Sequence, residues 1–165
     1  MANRRAQIIL SPEEQLELLE AERVVVVATL GPRGWPHLMP LWFTLREPEA
    51  DPLPDGPPRE LWVWTYAKSQ KVRNLERDAR CTLQVEAGTE YAELRGLMLD
   101  CDAVIHREPG VVAPLGAELA GRYAGADRTP ELEAAMRRQA AKRVGLQFRE
   151  LRRVSWDHRK LGGTH

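Results

Sequence analysis

The stretch RVVVVATLGPRGWPHLMPLWFTL, residues 23–45, reads as two strands joined by a turn. Arg23 to Leu30 is a β-branched run of the kind found in strands buried on both faces. Gly31-Pro32-Arg33-Gly34 supplies turn chemistry, and Trp35 to Leu45 returns as a second strand. Pro36 and Pro40 cannot donate ladder hydrogen bonds, so the returning strand belongs at an edge, a bend or a ligand-facing gap.

Upstream, Ser11-Pro12-Glu13-Glu14 is a helix start with a cap, a proline at the first helical position and the acid of a capping box. Leu16 and Leu19, with Leu18 as a further candidate, give that helix an apolar stripe that ends near Glu22. Downstream, residues 47–58 hold five prolines and four acidic residues with almost nothing to bury. The 46–59 region therefore reads as an exposed loop insertion within one domain that spans 1–165. Glu60 to Thr65 resumes as a strand, Lys68 to Asp78 as a helix, and Arg80 to Glu86 alternates as a strand with Cys81, Leu83 and Val85 on one face. Tyr91 to His106 reads as a long strand bent at Gly96. Helices follow over 110–123 and 129–141, then strands around Val144 to Phe148 and Arg152 to Trp156. Short strands with few helices favour a mostly β, α+β chain: a small antiparallel barrel with peripheral helices, not a doubly wound sheet.

The 165 residues suit a single core. Lys plus Arg and Asp plus Glu number 24 each, so net charge points to neither nucleic acid nor membrane. No stretch reads as a signal peptide or a membrane span, and the expected compartment is the cytoplasm. Cys81 and Cys101 have neither disulfide-framework nor zinc spacing, and His37, His106, His158 and His165 are scattered, so no metal site is expected. The common phosphate-loop, hydrolase and zinc motifs are absent, and no catalytic side chain is assigned.

The chemistry concentrates in WVWTYAKSQKVR, residues 62–73. A strand ends at Thr65 and a helix begins just after, in a cluster of hydroxyls and bases; free N–H groups there favour a phosphate, with Ser69 as cap and Lys68, Lys71 and Arg73 as charge. The same residues also describe a capped surface helix with solvated bases. Tryptophans stand at 35, 42, 62, 64 and 156, and suit either a ring-stacking wall or a core. Trp62 and Trp64 share a face by period. Trp42 lies beside Pro40, where the ladder is already interrupted, which makes it the better pocket candidate.

Residues 27–30, 34–43, 64–75, 78–83, 91–96 and 155–163 together resemble the pyridoxamine-phosphate-oxidase-like split barrels. The Lys68-Ser69-x-Lys71-Val72-x-Asn74-Leu75 segment and Ser155-Trp156-Asp157-His158-Arg159-Lys160 are similar to the class B flavin/deazaflavin oxidoreductases. The resemblance implies a six-stranded antiparallel split β-barrel, paired as a homodimer with cofactor sites at the subunit interface. It implies that Met39, Pro40, Leu41 and Trp42 run beside the cofactor ring. It also implies that Trp64 and Thr65, with Lys68, Ser69, Gln70, Lys71 and Arg73, hold the phosphate end, and that Trp64 borders the ring together with Pro40 and Trp42. Arg95, Trp156 and Lys160 approach from the partner subunit. The oxidase proper tends to carry an arginine early in the ring-side strand; Met39 here speaks against oxidation of pyridoxamine phosphate. The implied activity is hydride transfer from reduced coenzyme F420 to a conjugated small molecule such as a bilin or quinone. FMN is the alternative cofactor, and a non-catalytic cofactor- or haem-binding carrier the alternative function.

Overall fold

Ser11 begins the first long helix as its spacing predicts. Its hydroxyl accepts the Glu14 N–H at 3.3 Å, and the Glu14 carboxylate accepts the Ser11 N–H at 2.7 Å. In a computed structural model that describes residues 4–48, 53–54 and 56–162, the elements run α1 (Arg4–Gln7), α2 (Pro12–Ala21), β1 (Val24–Leu30), β2 (Pro36–Trp42) and β3 (Thr44–Arg46). There follow β4 (Glu60–Tyr66), α3 (Gln70–Arg77), β5 (Arg80–Ala87), β6 (Arg95–His106), α4 (Pro109–Ala124), α5 (Pro130–Ala140) and β7 (Arg143–Asp157).

All the strand pairings are antiparallel, in the order β2-β1-β5-β6-β7-β4-β3. The two ends of that order, β2 and β3, are joined in the chain by Phe43 alone. A sheet whose opposite edges are covalent neighbours must curl until they meet, and that curl makes the half-barrel. The count is seven strands where the resemblance implied six. The run expected as one strand over 35–45 divides at Phe43, because its first part pairs with β1 and its last with β4. Conversely, the two strands expected near Val144 and Arg152 are one, because β6 pairs along its whole length with β7. A register shift at Asp100/Cys101 leaves Leu151 as the extra residue, exposed on the outside.

The core fills the curl with Val25, Val27, Phe43, Val63, Leu83, Leu97, Leu146 and Phe148, closed by Leu18 and Leu19 of α2 and Val72 and Leu75 of α3. Each such side chain contributes roughly 1.5–3 kcal/mol on burial. The α2 stripe is Leu18 and Leu19 with Gln15, whose amide donates to the Leu10 carbonyl; Leu16 is only half-buried. A second layer, α4 with α5, covers the outer face of β4 and β7.

Three further expectations change. β1 is buried on one face only: Val25 and Val27 face the core, while Val24 and Leu30 are exposed beside Leu38 and Trp42 of edge strand β2. Tyr91–Glu93 is a 3-10 turn, so the strand begins at Arg95 and Gly96 stands near its start. Its bare Cα makes room for Trp156, whose ring a Cβ would meet at 2.4 Å. The insertion starts after Arg46, which belongs to β3, and its described residues are not all exposed, since Pro57 is buried. Residues 49–52 and 55 of that insertion lie outside the described residues. Among the described residues no helix is long and apolar enough to cross a membrane.

Candidate functional site

Alternation along β4 sends Thr65 inward and Trp64 and Tyr66 outward. The chain then turns, the Ser69 N–H donating to the Tyr66 carbonyl at 3.0 Å, and α3 begins. Ser69 stands at the N-cap with extended backbone, yet its hydroxyl caps nothing: Oγ is buried with no hydrogen-bond partner. Lys71, the second residue of α3, is 6% exposed and points inward, its Nζ donating to Thr65 Oγ1 at 2.9 Å. No carboxylate among the described residues pairs with it, and burial pulls its pKa below the ordinary lysine value. A buried hydroxyl without a partner, two residues before a buried cation without a counter-charge, is an arrangement that an anion reaching both completes. The phosphate of a flavin-type cofactor fits that need.

The other bases of this segment do not join Lys71. Lys68 and Arg73 are exposed, and Gln70 donates to Asn74 Oδ1 at 2.8 Å. Asn74 in turn donates to Thr29 Oγ1 at 3.0 Å, which fastens α3 to β1. Solvated bases and an anion cradle thus coexist, one on each face of a single helix turn.

β2 passes close to β4, with Met39 and Leu41 half-buried and Pro40 and Trp42 outward. Trp42 is 60% exposed and stacks on Tyr123 of α4, centroids 4.5 Å apart and planes 1° from parallel. Tyr123 lies some 80 residues from its strand partners in the chain and carries no motif, so nothing local marks it. Trp64 shares the outward face with Trp62, as period two requires, and there it is committed to packing. Arg143 lies over its ring at 4.4 Å, and a Cβ on Gly116 would approach it to 2.4 Å. Gly116→Ala is therefore expected to cost about 1–3 kcal/mol in thermal melts despite the better helix propensity of alanine. A neutral or stabilising result would show that the indole yields.

Arg95, Trp156 and Lys160 sit elsewhere. Thr65 pairs with Val144 at the start of β7, and Arg95 and Gly96 pair with Asp157 and Trp156 at its end, about 40 Å away along the strand at ~3.3 Å per residue. Within one chain these two groups do not form one site. Lys160 donates to the Ile9 carbonyl at 2.7 Å and pairs with Glu14, tying the C-terminal 3-10 turn to α2. Asp157, 1% exposed, accepts from the Arg159 backbone N–H at 3.0 Å and from its guanidinium at 2.6 Å. Arg159 holds its pKa below the ordinary carboxylate value. A depressed folded pKa means stability present above the unfolded value of about 3.9 and lost as pH falls through the folded one. Asp157→Asn is expected to cost about 1–3 kcal/mol at pH 7, with the wild-type and variant melting curves converging between pH 4 and pH 2. A gap that persists at the acid end would assign the loss to packing.

The chain matches the family model described as pyridoxamine 5'-phosphate oxidase over residues 11–154. A conserved hypothetical protein from Mycobacterium tuberculosis is 36% identical, with TM-score 0.82 over 98% of this chain and 93% of that one. An F420 reductase is 22% identical, with TM-score 0.62 over 86% of this chain and 97% of that one. A FAD-binding protein from Mesorhizobium loti is 15% identical, with TM-score 0.58 over 88% and 94% respectively. The last two likenesses show the shared fold. A search among curated proteins finds no match.

Proposed function

The chain belongs to the pyridoxamine 5'-phosphate oxidase family, and from that premise we propose that it is a cytoplasmic, homodimeric reductase that uses reduced coenzyme F420 to reduce a conjugated small molecule. The observation that carries the reading is the Ser69–Lys71 cradle. An unpartnered buried hydroxyl and an uncompensated buried ammonium stand at a helix start beside Thr65. These three residues hold the cofactor phosphate, while exposed Lys68 and Arg73 attract its remaining negative charge from outside.

The bound coenzyme supplies a hydride and needs no amino-acid nucleophile. Met39, Pro40, Leu41 and Trp42 orient the ring and shield one face from water. The protein's cysteines support this division of labour. Burial pushes the Cys81 thiol up to about 12 and the Cys101 thiol higher still, so neither is a thiolate at neutral pH. Arg95, Trp156 and Lys160, remote in one chain, reach the site from a second copy. The outward apolar face of Val24, Leu30, Leu38 and Trp35 is the surface that a second copy covers.

Titrating the purified protein with F420 and with FMN, then following oxidation of the reduced deazaflavin against quinone and bilin acceptors, tests the reading. Tight F420 binding with acceptor-dependent oxidation is expected. Preferential FMN binding would transfer the role to a flavin, and binding without turnover would make the protein a carrier. Light scattering at micromolar concentration is expected to report a dimer; a monomer would defeat the shared site.

A further inference from the structure

Tyr123 stands at the C-terminal end of α4, outside the sheet, yet its hydroxyl is fastened at three points, two on Phe43 just beyond the ring-side strand and one on Arg23 just before β1. Its Oη accepts the Phe43 N–H at 3.0 Å and lies 2.6 Å from the carbonyls of both Phe43 and Arg23, which share its proton. Its ring carries the Arg23 guanidinium at 5.7 Å and the Arg122 guanidinium at 5.8 Å. Arg122 is itself held by the Leu19 and Glu22 carbonyls at 2.6 and 2.9 Å. Burial raises the phenol's pKa, which keeps the donating proton in place at neutral pH. A tyrosine gripped at its hydroxyl has little freedom to tilt its ring.

That ring is the one against which Trp42 lies parallel. An indole that is 60% exposed with one face covered offers its other face to solvent, and Pro40 flanks it on the same side of β2. An unsupported surface tryptophan would lose rotamer freedom on stacking a ligand; a braced one has lost it already. The geometry points to Tyr123 as a positioning residue of the ring site, holding the Trp42 indole as a fixed platform for one face of a flat conjugated ring. This inference rests on the reading that β2 borders the cofactor ring.

The test separates ring from phosphate. Whichever of F420 and FMN the wild type binds is titrated alongside its phosphate-free chromophore, deazariboflavin or riboflavin, by quenching of intrinsic fluorescence. Tyr123→Leu is expected to weaken cofactor and bare chromophore by the same factor, about five- to tenfold. Tyr123→Phe keeps the stacking ring but loses the grip on its hydroxyl, and is expected to weaken both by about two- to fivefold, between wild type and Tyr123→Leu. Lys71→Met is expected to weaken the cofactor and leave the chromophore unchanged. If Tyr123→Leu does not fold, Trp42→Leu at the exposed position serves in its place, with the same expected loss for the chromophore. Chromophore affinity equal to wild type in Tyr123→Leu, or in Trp42→Leu, overturns the platform and leaves the cofactor reading standing. Failure of the wild type to bind either cofactor overturns both.

Discussion

Phe43→Ala is expected to lower the unfolding free energy by about 3–5 kcal/mol, a large share of the 5–15 kcal/mol that usually holds a domain together. Phe43 has no solvent exposure and sits where the chain leaves one sheet edge and joins the other. Its ring packs in the core beneath the Arg122 guanidinium, 4.6 Å from the centroid, so truncation removes both apolar burial and a cation–π contact. The neighbouring helices are pinned by Tyr123 and Arg122 and have little room to collapse into the space. Phe43→Leu refills most of the volume and is expected to recover most of the loss. Urea melts of the three proteins decide the matter; a cost under about 1 kcal/mol for alanine would mean that the seam relaxes freely.

The largest functional effect is expected from Lys71→Met. A charge-assisted hydrogen bond is worth about 1.5–3 kcal/mol, so affinity for F420 or FMN should fall roughly ten- to a hundredfold. Stability without cofactor should move the other way. A lysine whose folded pKa lies below its unfolded value of about 10.4 binds fewer protons folded than unfolded, so wild-type stability climbs as pH rises through the folded pKa. Methionine removes the desolvated charge and with it that climb. The apoprotein variant should melt no lower than wild type at pH 7, and up to about 3 °C higher. Calorimetric titration with scanning across pH 7 to 10 checks both halves. Undiminished affinity would return Lys71 to a structural role.

What local chemistry dictates was legible in the sequence. The Ser11 capping box, the Gly31–Gly34 turn, the proline-marked edge strand and the shared face of Trp62 and Trp64 each depend on residues within one or two turns of each other. The Ser69 helix start was legible too, although both its expected cap and the orientation of Lys71 were not: lysine as a residue type says surface, and only the packing of α3 against β1 turns this one inward. The break at Phe43 was hidden because the 35–45 run is apolar throughout, and the partners that divide it are distant. Tyr123 and Gly116 gain meaning only when α4 folds back across β2 and β4.

The placement of β7 between β6 and β4 bears on how the chain is made. Leu61 pairs with Phe148 and Thr65 with Val144, so β4 completes its hydrogen bonding only with a segment synthesised some 80 residues later. At about 5–20 residues per second the ribosome needs roughly 4–16 s to deliver it. Until α4 and β7 arrive, the strand that leads into the anion cradle waits with its outer face uncovered and one ladder open. Closure is therefore a late, long-range event, and a nascent chain stalled before Arg143 should depend on a chaperone to stay soluble.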